Sequence, residues 1–267
     1  MANNLVLSLT ALLALVPASL LPFRRGGGQR DLAFWAVLGV AVAGPLAYSL
    51  IQLAGPWQTG IAMALWLSIA VSIVLFAVVA AVTRDAWRLT AILAPYLCIL
   101  GILATVWGQV PEQGEPYGPT DSWLVVHILV TMATYGLATI AAVAGAGVFL
   151  QERALKRKKP TALTRLLPSI ADGERLELRL LTIAELGLGV AIVTGMALQY
   201  LLSGQVLIVD HRTLLSLLAF AVIGVLLVLH FRSGLRGKRA ARWVLVAYLL
   251  LTLAFLGVKF VTDVLIG

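Results

Sequence analysis

The sequence predicts an all-α fold, a polytopic integral membrane bundle of about eight transmembrane helices with both termini extracytoplasmic. The 267-residue chain is 61% hydrophobic and 12% charged, and its mean hydropathy of +0.98 lies far outside the range of soluble proteins. Apolar runs of about 20 residues recur along the whole chain, each long enough to cross a hydrocarbon core of ~30 Å. The runs show no alternation typical of barrel strands, so helices are the structure that satisfies their backbone in lipid.

Eight apolar segments are predicted to span the membrane. The first is followed by Arg24 and Arg25 rather than preceded by basic residues, the reverse of a cleavable signal peptide, so we expect it to be retained. The predicted spans are Asn4 to Phe23, Leu32 to Ala54, Ile61 to Val82, Leu89 to Gly108, Trp123 to Gln151, Leu180 to Leu202, Thr213 to Phe231 and Trp243 to Ile266.

The basic residues predict the orientation of these spans. All of the 20 Lys and Arg residues except Arg212 and Lys259 fall in every second connection between spans, and the other connections are nearly free of them. The positive-inside rule therefore places the basic connections in the cytoplasm. With an even number of spans, both termini then lie on the outer side.

Composition also limits the classes of function. The longest polar stretch, Glu152 to Arg179, is too short for a soluble domain, so residues 1–267 are predicted to form a single membrane domain. The net charge of +8 is spread over short loops, which indicates orientation rather than binding of nucleic acid. Cys98 is the only cysteine, which excludes a disulfide, a CxxC pair and a CxxCH haem-attachment site.

Two of the three histidines, His127 and His211, each open a predicted span on the outer side. His127 lies one helical turn after Trp123, about 6 Å along the axis. The positive N-terminal end of a helix disfavours imidazolium and leaves a ring nitrogen available as a ligand. The same ends suit an anionic group such as a haem propionate. Ligation of a metal or of haem iron by the two imidazoles is one interpretation, and interfacial anchoring of the helix ends is the other.

Lys259 and Arg212 break the charge pattern on the outer side. Lys259 lies about two turns inside the last span and could neutralise a haem propionate, or it could pair with Asp263 at i+4. Arg212 could serve the same propionate role, or it could form a solvated pair with Asp210.

Other polar residues have simpler interpretations. Glu185 is expected to form a salt bridge with Arg179 or another loop cation, with a proton path as the alternative. Tyr135 and Tyr248 are predicted to bond to other helices, and the small residues of span five to permit close packing. The leucines between Pro160 and Arg179 are expected to lie against the membrane surface. The sequence contains no HExxH, GxSxG or phosphate-loop motif, so we expect no enzyme activity.

Several segments resemble a known family. They are His127-Ile-Leu-Val-Thr with Ala133-Thr-Tyr-Gly, Leu167-Pro-Ser-Ile, Thr194-Gly195, His211-Arg-Thr-Leu-Leu-Ser, Gly234-Leu-Arg-Gly-Lys-Arg-Ala and Gly257-Val-Lys-Phe-Val. In their order and spacing, the chain resembles the haem-handling cytochrome c assembly proteins of the CcsA/CcmC type, within the YpjD/HemX-like branch of bacterial inner-membrane proteins. The resemblance covers residues 60–267 and leaves 1–59 as additional N-terminal helices.

The resemblance implies a helix bundle that binds haem, here haem b, at the outer face of the inner membrane. His127 and His211 occupy positions like those of the family's haem ligands. The WGxxWxWD loop of the family's haem-delivery members is missing, since the segment from Ser203 to Asp210 contains no tryptophan. The expected partners are the lipid bilayer, haem and a partner membrane protein. The alternatives are a regulatory or scaffold protein without haem and, less favoured for want of intramembrane acids, a small-molecule transporter.

Overall fold

The computed structural model describes residues 2–25, 30–54, 60–109, 122–205, 210–234 and 237–261, and all regular structure in these ranges is helical. Short 3₁₀ and π turns at Ala86–Leu89 and Leu253–Gly257 supplement the α-helices. The α-helices are α1 (Ala2–Arg24), α2 (Leu32–Leu53), α3 (Ile61–Val82), α4 (Thr90–Trp107), α5 (Ser122–Arg157), α6 (Ala162–Leu166), α7 (Ile170–Ser203), α8 (His211–Ser233), α9 (Lys238–Thr252) and α10 (Val258–Phe260).

Eight of the described helical segments are long and apolar enough to cross a membrane, which confirms the predicted all-α fold with about eight spans. The extracytoplasmic position of both termini stays a prediction. The predicted ends of two spans were wrong, because α5 continues to Arg157 and α7 already begins at Ile170. The charged residues of these extensions lie on helical faces that remain exposed or partly exposed, except Glu177, which is buried. Polarity therefore marked the end of the apolar stretch, and not the end of the helix.

The connection between α5 and α7 packs into the protein. Leu166, Leu167 and Leu176 are each less than 10% exposed, so the expectation that these leucines lie against the membrane surface was wrong. Gln151 of α5 holds the segment in place, because its side-chain amide donates to the carbonyl oxygens of Thr164 at 2.8 Å and Pro168 at 3.2 Å.

The long helices form two rings of four. In the first ring, α1 packs against α2 and α4, and α3 also packs against both α2 and α4. In the second ring, α5 packs against α7 and α9, and α8 also packs against both α7 and α9. The contact between α3 and α5 joins the rings. Within the second ring, α5 and α8 are therefore diagonal to each other, and so are α7 and α9.

The basic connections meet at one end of the bundle, called here the basic end. Arg30 donates to the carbonyl oxygen of Ala81 at 2.7 Å, which ties the start of α2 to the end of α3. The backbone N–H groups of Gly237 and Lys238 donate to Glu174 at 2.6 Å and to Glu152 at 2.9 Å. These two carboxylates hold the start of α9 beside α7 and α5. The histidines that open α5 and α8 consequently lie at the opposite end.

A cluster of hydroxyl groups joins the two rings inside the bundle. The hydroxyl of Tyr248 on α9 lies 2.6 Å from that of Tyr96 on α4 and 3.2 Å from that of Tyr135 on α5. Thr139 donates to the Tyr248 hydroxyl at 3.1 Å, and Thr252 lies 3.3 Å from the Tyr135 hydroxyl. The prediction that Tyr135 and Tyr248 bond to other helices is confirmed, whereas Tyr96 was not identified from the sequence.

The Tyr248→Phe variant tests this cluster. This change removes a hydrogen-bond partner from the hydroxyl groups of Tyr96, Tyr135 and Thr139 inside the bundle. We therefore expect the free energy of unfolding in detergent to fall by about 1–3 kcal/mol. The matched control is Tyr200→Phe, since Tyr200 is 56% exposed. Equal stability of the two variants in a denaturant titration would contradict the assigned role.

Candidate functional site

His127 lies on α5 and packs directly onto α7. Its Nδ1 atom lies 3.0 Å from the hydroxyl oxygen of Thr194. A Cβ atom added to Gly195 would lie 3.1 Å from the Cε1 atom of the ring, so glycine leaves room for the imidazole at this point. The ring is partly buried. A single contact thus joins two segments that are far apart in sequence, His127 to Thr131 and Thr194-Gly195.

The hydrogen bonds of Thr194 determine which ring nitrogen carries the proton. Its hydroxyl lies 2.9 Å from the carbonyl oxygen of Val190 and 3.1 Å from that of Ala191, and both oxygens can only accept. With its single hydrogen directed at a carbonyl, the Thr194 oxygen accepts a hydrogen bond from the Nδ1–H of His127. The neutral imidazole then carries its lone pair on Nε2, the atom free to bind a metal.

Trp123 strengthens the same contact between α5 and α7. Its indole Nε1–H donates to the carbonyl oxygen of Thr194 at 3.3 Å. Thr194 therefore contacts two aromatic side chains one helical turn apart on α5, one through its backbone and one through its hydroxyl. This arrangement fixes the orientation of the His127 ring at the start of the helix.

His211 has a different environment. It is the first residue of α8 and is exposed. The preceding Asp210 caps the helix, because its carboxylate accepts the backbone N–H of Thr213 at 2.7 Å. Burial raises the pKa of Asp210, but the Thr213 hydrogen bonds and the charge of Arg212 lower it by more, so the net pKa is below its ordinary value. Asp210 thus caps α8 and does not form a close ion pair with Arg212.

The two histidines lie at the same end of the second ring but on its diagonal helices, with α7 and α9 next to both. They do not hydrogen-bond to each other. Across the described ranges, no group of three or more His, Cys, Asp and Glu side chains converges as a metal site would require.

The two cations of this end also have defined positions. Lys259 lies in α10, directly after the π turn, beside Phe260, whose ring packs edge-to-face on Trp107 at 5.3 Å between centroids. The expected partner Asp263 lies outside the described residues. Arg212 is exposed beside His211. The connections Pro56 to Gly60 and Gln109 to Ser122 lie mostly outside the described residues, and so do residues 206–209 of the connection from Ser203 to Arg212.

Glu185 corrects a prediction made from the sequence. The expected salt bridge with Arg179 was wrong, because six residues along a helix place the two side chains on different faces. Glu185 is 9% exposed and Arg179 is exposed. Sequence analysis also missed Glu177, which is 4% exposed and which had been assigned to a polar loop.

Comparison with known proteins agrees with the family resemblance described above. A family model described as "Cytochrome C assembly protein" matches residues 57–266. An uncharacterized 28.8 kDa protein from the nifR3-like 5' region of Azospirillum brasilense is 51% identical over the full length of both chains. Protein HemX of Brevibacillus brevis is 29% identical over 138 residues, 52% of this chain and 51% of that protein. No solved structure matches the chain.

The tautomer of His127 can be tested by ¹⁵N NMR of histidine-labelled protein, with His127→Gln used to assign the signal. We expect a neutral ring protonated at Nδ1. In Thr194→Val the signal should shift toward exchange between the two tautomers, because the acceptor is lost. The matched control is Thr182→Val, which removes a similar back-bonded hydroxyl from α7. A ring protonated at Nε2 in the unmodified protein would contradict the assignment.

Proposed function

The chain belongs to the cytochrome c assembly protein family, and on that premise we propose that it binds haem at the end of the bundle where α5 and α8 begin. As a member of this family it is a multi-pass, haem-handling membrane protein. The finer proposal concerns the residues that would hold the haem. The observation that carries it is the His127 ring, which is fixed by Thr194 through Nδ1 and presents Nε2 as a lone-pair donor.

His127 would hold haem iron through Nε2. Ligating histidines normally donate their second ring nitrogen to an acceptor that fixes the tautomer and the plane of the ring, and Thr194 is that acceptor here. Gly195 provides the space for the ring, since a side chain would meet the imidazole at 3.1 Å. The π turn one helix away, at Leu253–Gly257, is a local irregularity of the kind that often accompanies functional sites.

His211 is the second residue that would hold the iron. It lies on the helix diagonal to α5, and diagonal helices of a four-helix ring face each other across its interior. Arg212 and Lys259 lie at the same end and are the proposed partners of the haem propionates. Haem b is the proposed form, because no cysteine is available for covalent attachment other than Cys98, which lies within α4.

The proposed role is binding and not catalysis. When bound, haem would supply redox and ligand-exchange chemistry, whereas this chain would orient the iron ligands and neutralise the propionates. We do not propose direct delivery of haem to an apocytochrome, because the tryptophan-rich loop is missing. The charge pattern supports a site on the extracytoplasmic face of the bacterial inner membrane, with the basic end in the cytoplasm.

A second candidate is a regulatory or scaffold protein that binds no haem and acts through a partner membrane protein. The exposure of His211 at the first turn of α8 favours it, because an interfacial histidine also serves as an anchor. Spectra of the purified protein separate the two candidates.

The first test is the absorption spectrum of protein purified from haem-replete cells. We expect a low-spin Soret band typical of bis-histidine ligation, lost in His127→Ala and in His211→Ala. His230→Ala is the matched control, because His230 lies at the basic end of α8 and should leave the band unchanged. Absence of haem in the unmodified protein, or its retention in His127→Ala, would contradict the proposal.

Orientation can be tested with single cysteines in a Cys98→Ser background. Ser203 and Ser233 are exposed and lie at opposite ends of the bundle. In spheroplasts we expect a membrane-impermeant maleimide to label Ser203→Cys and not Ser233→Cys, with both labelled after detergent is added. Labelling of Ser233→Cys alone before detergent would reverse the proposed orientation.

A further inference from the structure

Helix α7 carries two buried carboxyl groups that the proposed haem site does not use. Glu177 is 4% exposed and Glu185 is 9% exposed. Each carboxyl packs against a glycine on a neighbouring helix, where the missing side chain leaves room for it. A Cβ atom on Gly145 of α5 would lie 3.2 to 3.5 Å from three carboxyl atoms of Glu177, and one on Gly224 of α8 would lie 3.2 Å from Oε1 of Glu185.

Among the described residues, no nearby positive charge would balance a charged Glu185 carboxylate. Its Oε2 atom is fully buried and, in the part of the chain that the structure describes, has no hydrogen-bond partner. Within the same ranges no Lys, Arg or His lies within 4 Å of either carboxyl oxygen. A carboxylate in such a place would bear a large desolvation penalty, whereas a neutral carboxyl would not.

The position of Glu185 is deep within the bundle. It faces Gly224, which lies about 14 Å along the α8 axis from Ser233 at the basic end and about 20 Å from His211 at the other end, at 1.5 Å per residue. A hydrocarbon core is ~30 Å thick, so the carboxyl lies well inside it. Snorkelling to water is therefore not available to this short side chain.

The charged groups on the packed elements all lie nearer the ends. On α8 these are His211, Arg212, His230 and Arg232, and on α7 itself Asp172, Glu174, Arg175, Glu177 and Arg179. The facing ends of α5 and α9 contribute Glu152, Lys156, Lys238, Arg239 and Arg242. None forms an ion pair with Glu185 among the described residues, so no neighbour holds it in the charged form.

Glu177 connects this site to the basic end. It lies one turn from Glu174, whose carboxylate accepts the backbone N–H of Gly237 at 2.6 Å and stays partly exposed. Two neighbouring carboxylates one turn apart repel each other, so the buried member of the pair favours the neutral form. The carboxyls of Glu174, Glu177 and Glu185 therefore lie in order from the partly exposed start of α7 to its buried middle.

We propose that Glu177 and Glu185 form a proton-binding path that leads from the basic end of α7 into the interior of the second ring. Eight residues, about 12 Å along the helix axis, separate the two glutamates, so a proton bound by Glu177 reaches Glu185 through intervening water molecules. Each carboxyl is neutral while it holds the proton and returns to the carboxylate when the proton leaves. Intramembrane acids without partners are typical of such proton relays. The site takes a proton and requires no metal or organic ligand.

The first experiment labels the protein in native membranes with dicyclohexylcarbodiimide, which adds to protonated carboxyls in apolar surroundings. We expect an adduct at Glu185 near neutral pH, located by peptide mass mapping and decreasing as the pH rises. The adduct should vanish in Glu185→Gln and persist in the matched control Asp172→Asn, whose carboxyl lies near the start of α7. Absence of the adduct between pH 5 and 9, or labelling independent of pH, would overturn the proposal.

A second measurement distinguishes a relay from a static buried acid. Infrared spectroscopy should detect a protonated carboxyl C=O band that is lost in Glu185→Gln, and D₂O should shift it as the proton exchanges. We expect this exchange to slow by ~10-fold or more in Glu177→Gln, because the carboxyl that passes the proton inward is gone. Unchanged exchange in a Glu177→Gln protein that keeps its native stability would overturn the path, whatever the outcome of the haem test.

Discussion

The close approach of α5 and α7 is the constraint on which the candidate sites depend. Small residues on α5 let the two backbones pack together, as Ala138, Ala141 and Ala142 are all buried. At the outer end of this contact, Gly195 leaves room for the His127 ring. At the basic end, Gly145 leaves room for the carboxyl of Glu177. A wider separation of the helices would release the histidine from Thr194 and hydrate the acid.

The polar groups inside the bundle fall into two classes, those with hydrogen-bond partners and those without. The tyrosine hydroxyls on α4, α5 and α9 satisfy one another and connect the two rings, so they stabilise the structure. By contrast, Glu185 has a buried oxygen without a partner in the described ranges, and only protonation lowers its charge. Satisfied clusters are expected to be structural, whereas an unsatisfied acid within a membrane helix indicates a function that involves its proton.

Much of the fold could be predicted from the sequence, because hydropathy and positive charge act locally along each helix. The start of α5 shortly before His127 follows from the same pattern. The partner of His127 could not be predicted, because Thr194 is 67 residues away and no local pattern reports which helices become neighbours. The burial of Glu177 was missed for a related reason, since a charged helical extension resembles a loop until its packing against Gly145 is known.

The most direct test of the central claim is a cryo-EM structure of the protein reconstituted with haem b. The account predicts iron bound to Nε2 of His127, with Nδ1 still donating to Thr194 and the ring still packed on Gly195. His211 should also bind the iron. Haem bound elsewhere, or a His127 ring rotated so that Nε2 faces Thr194, would contradict the account.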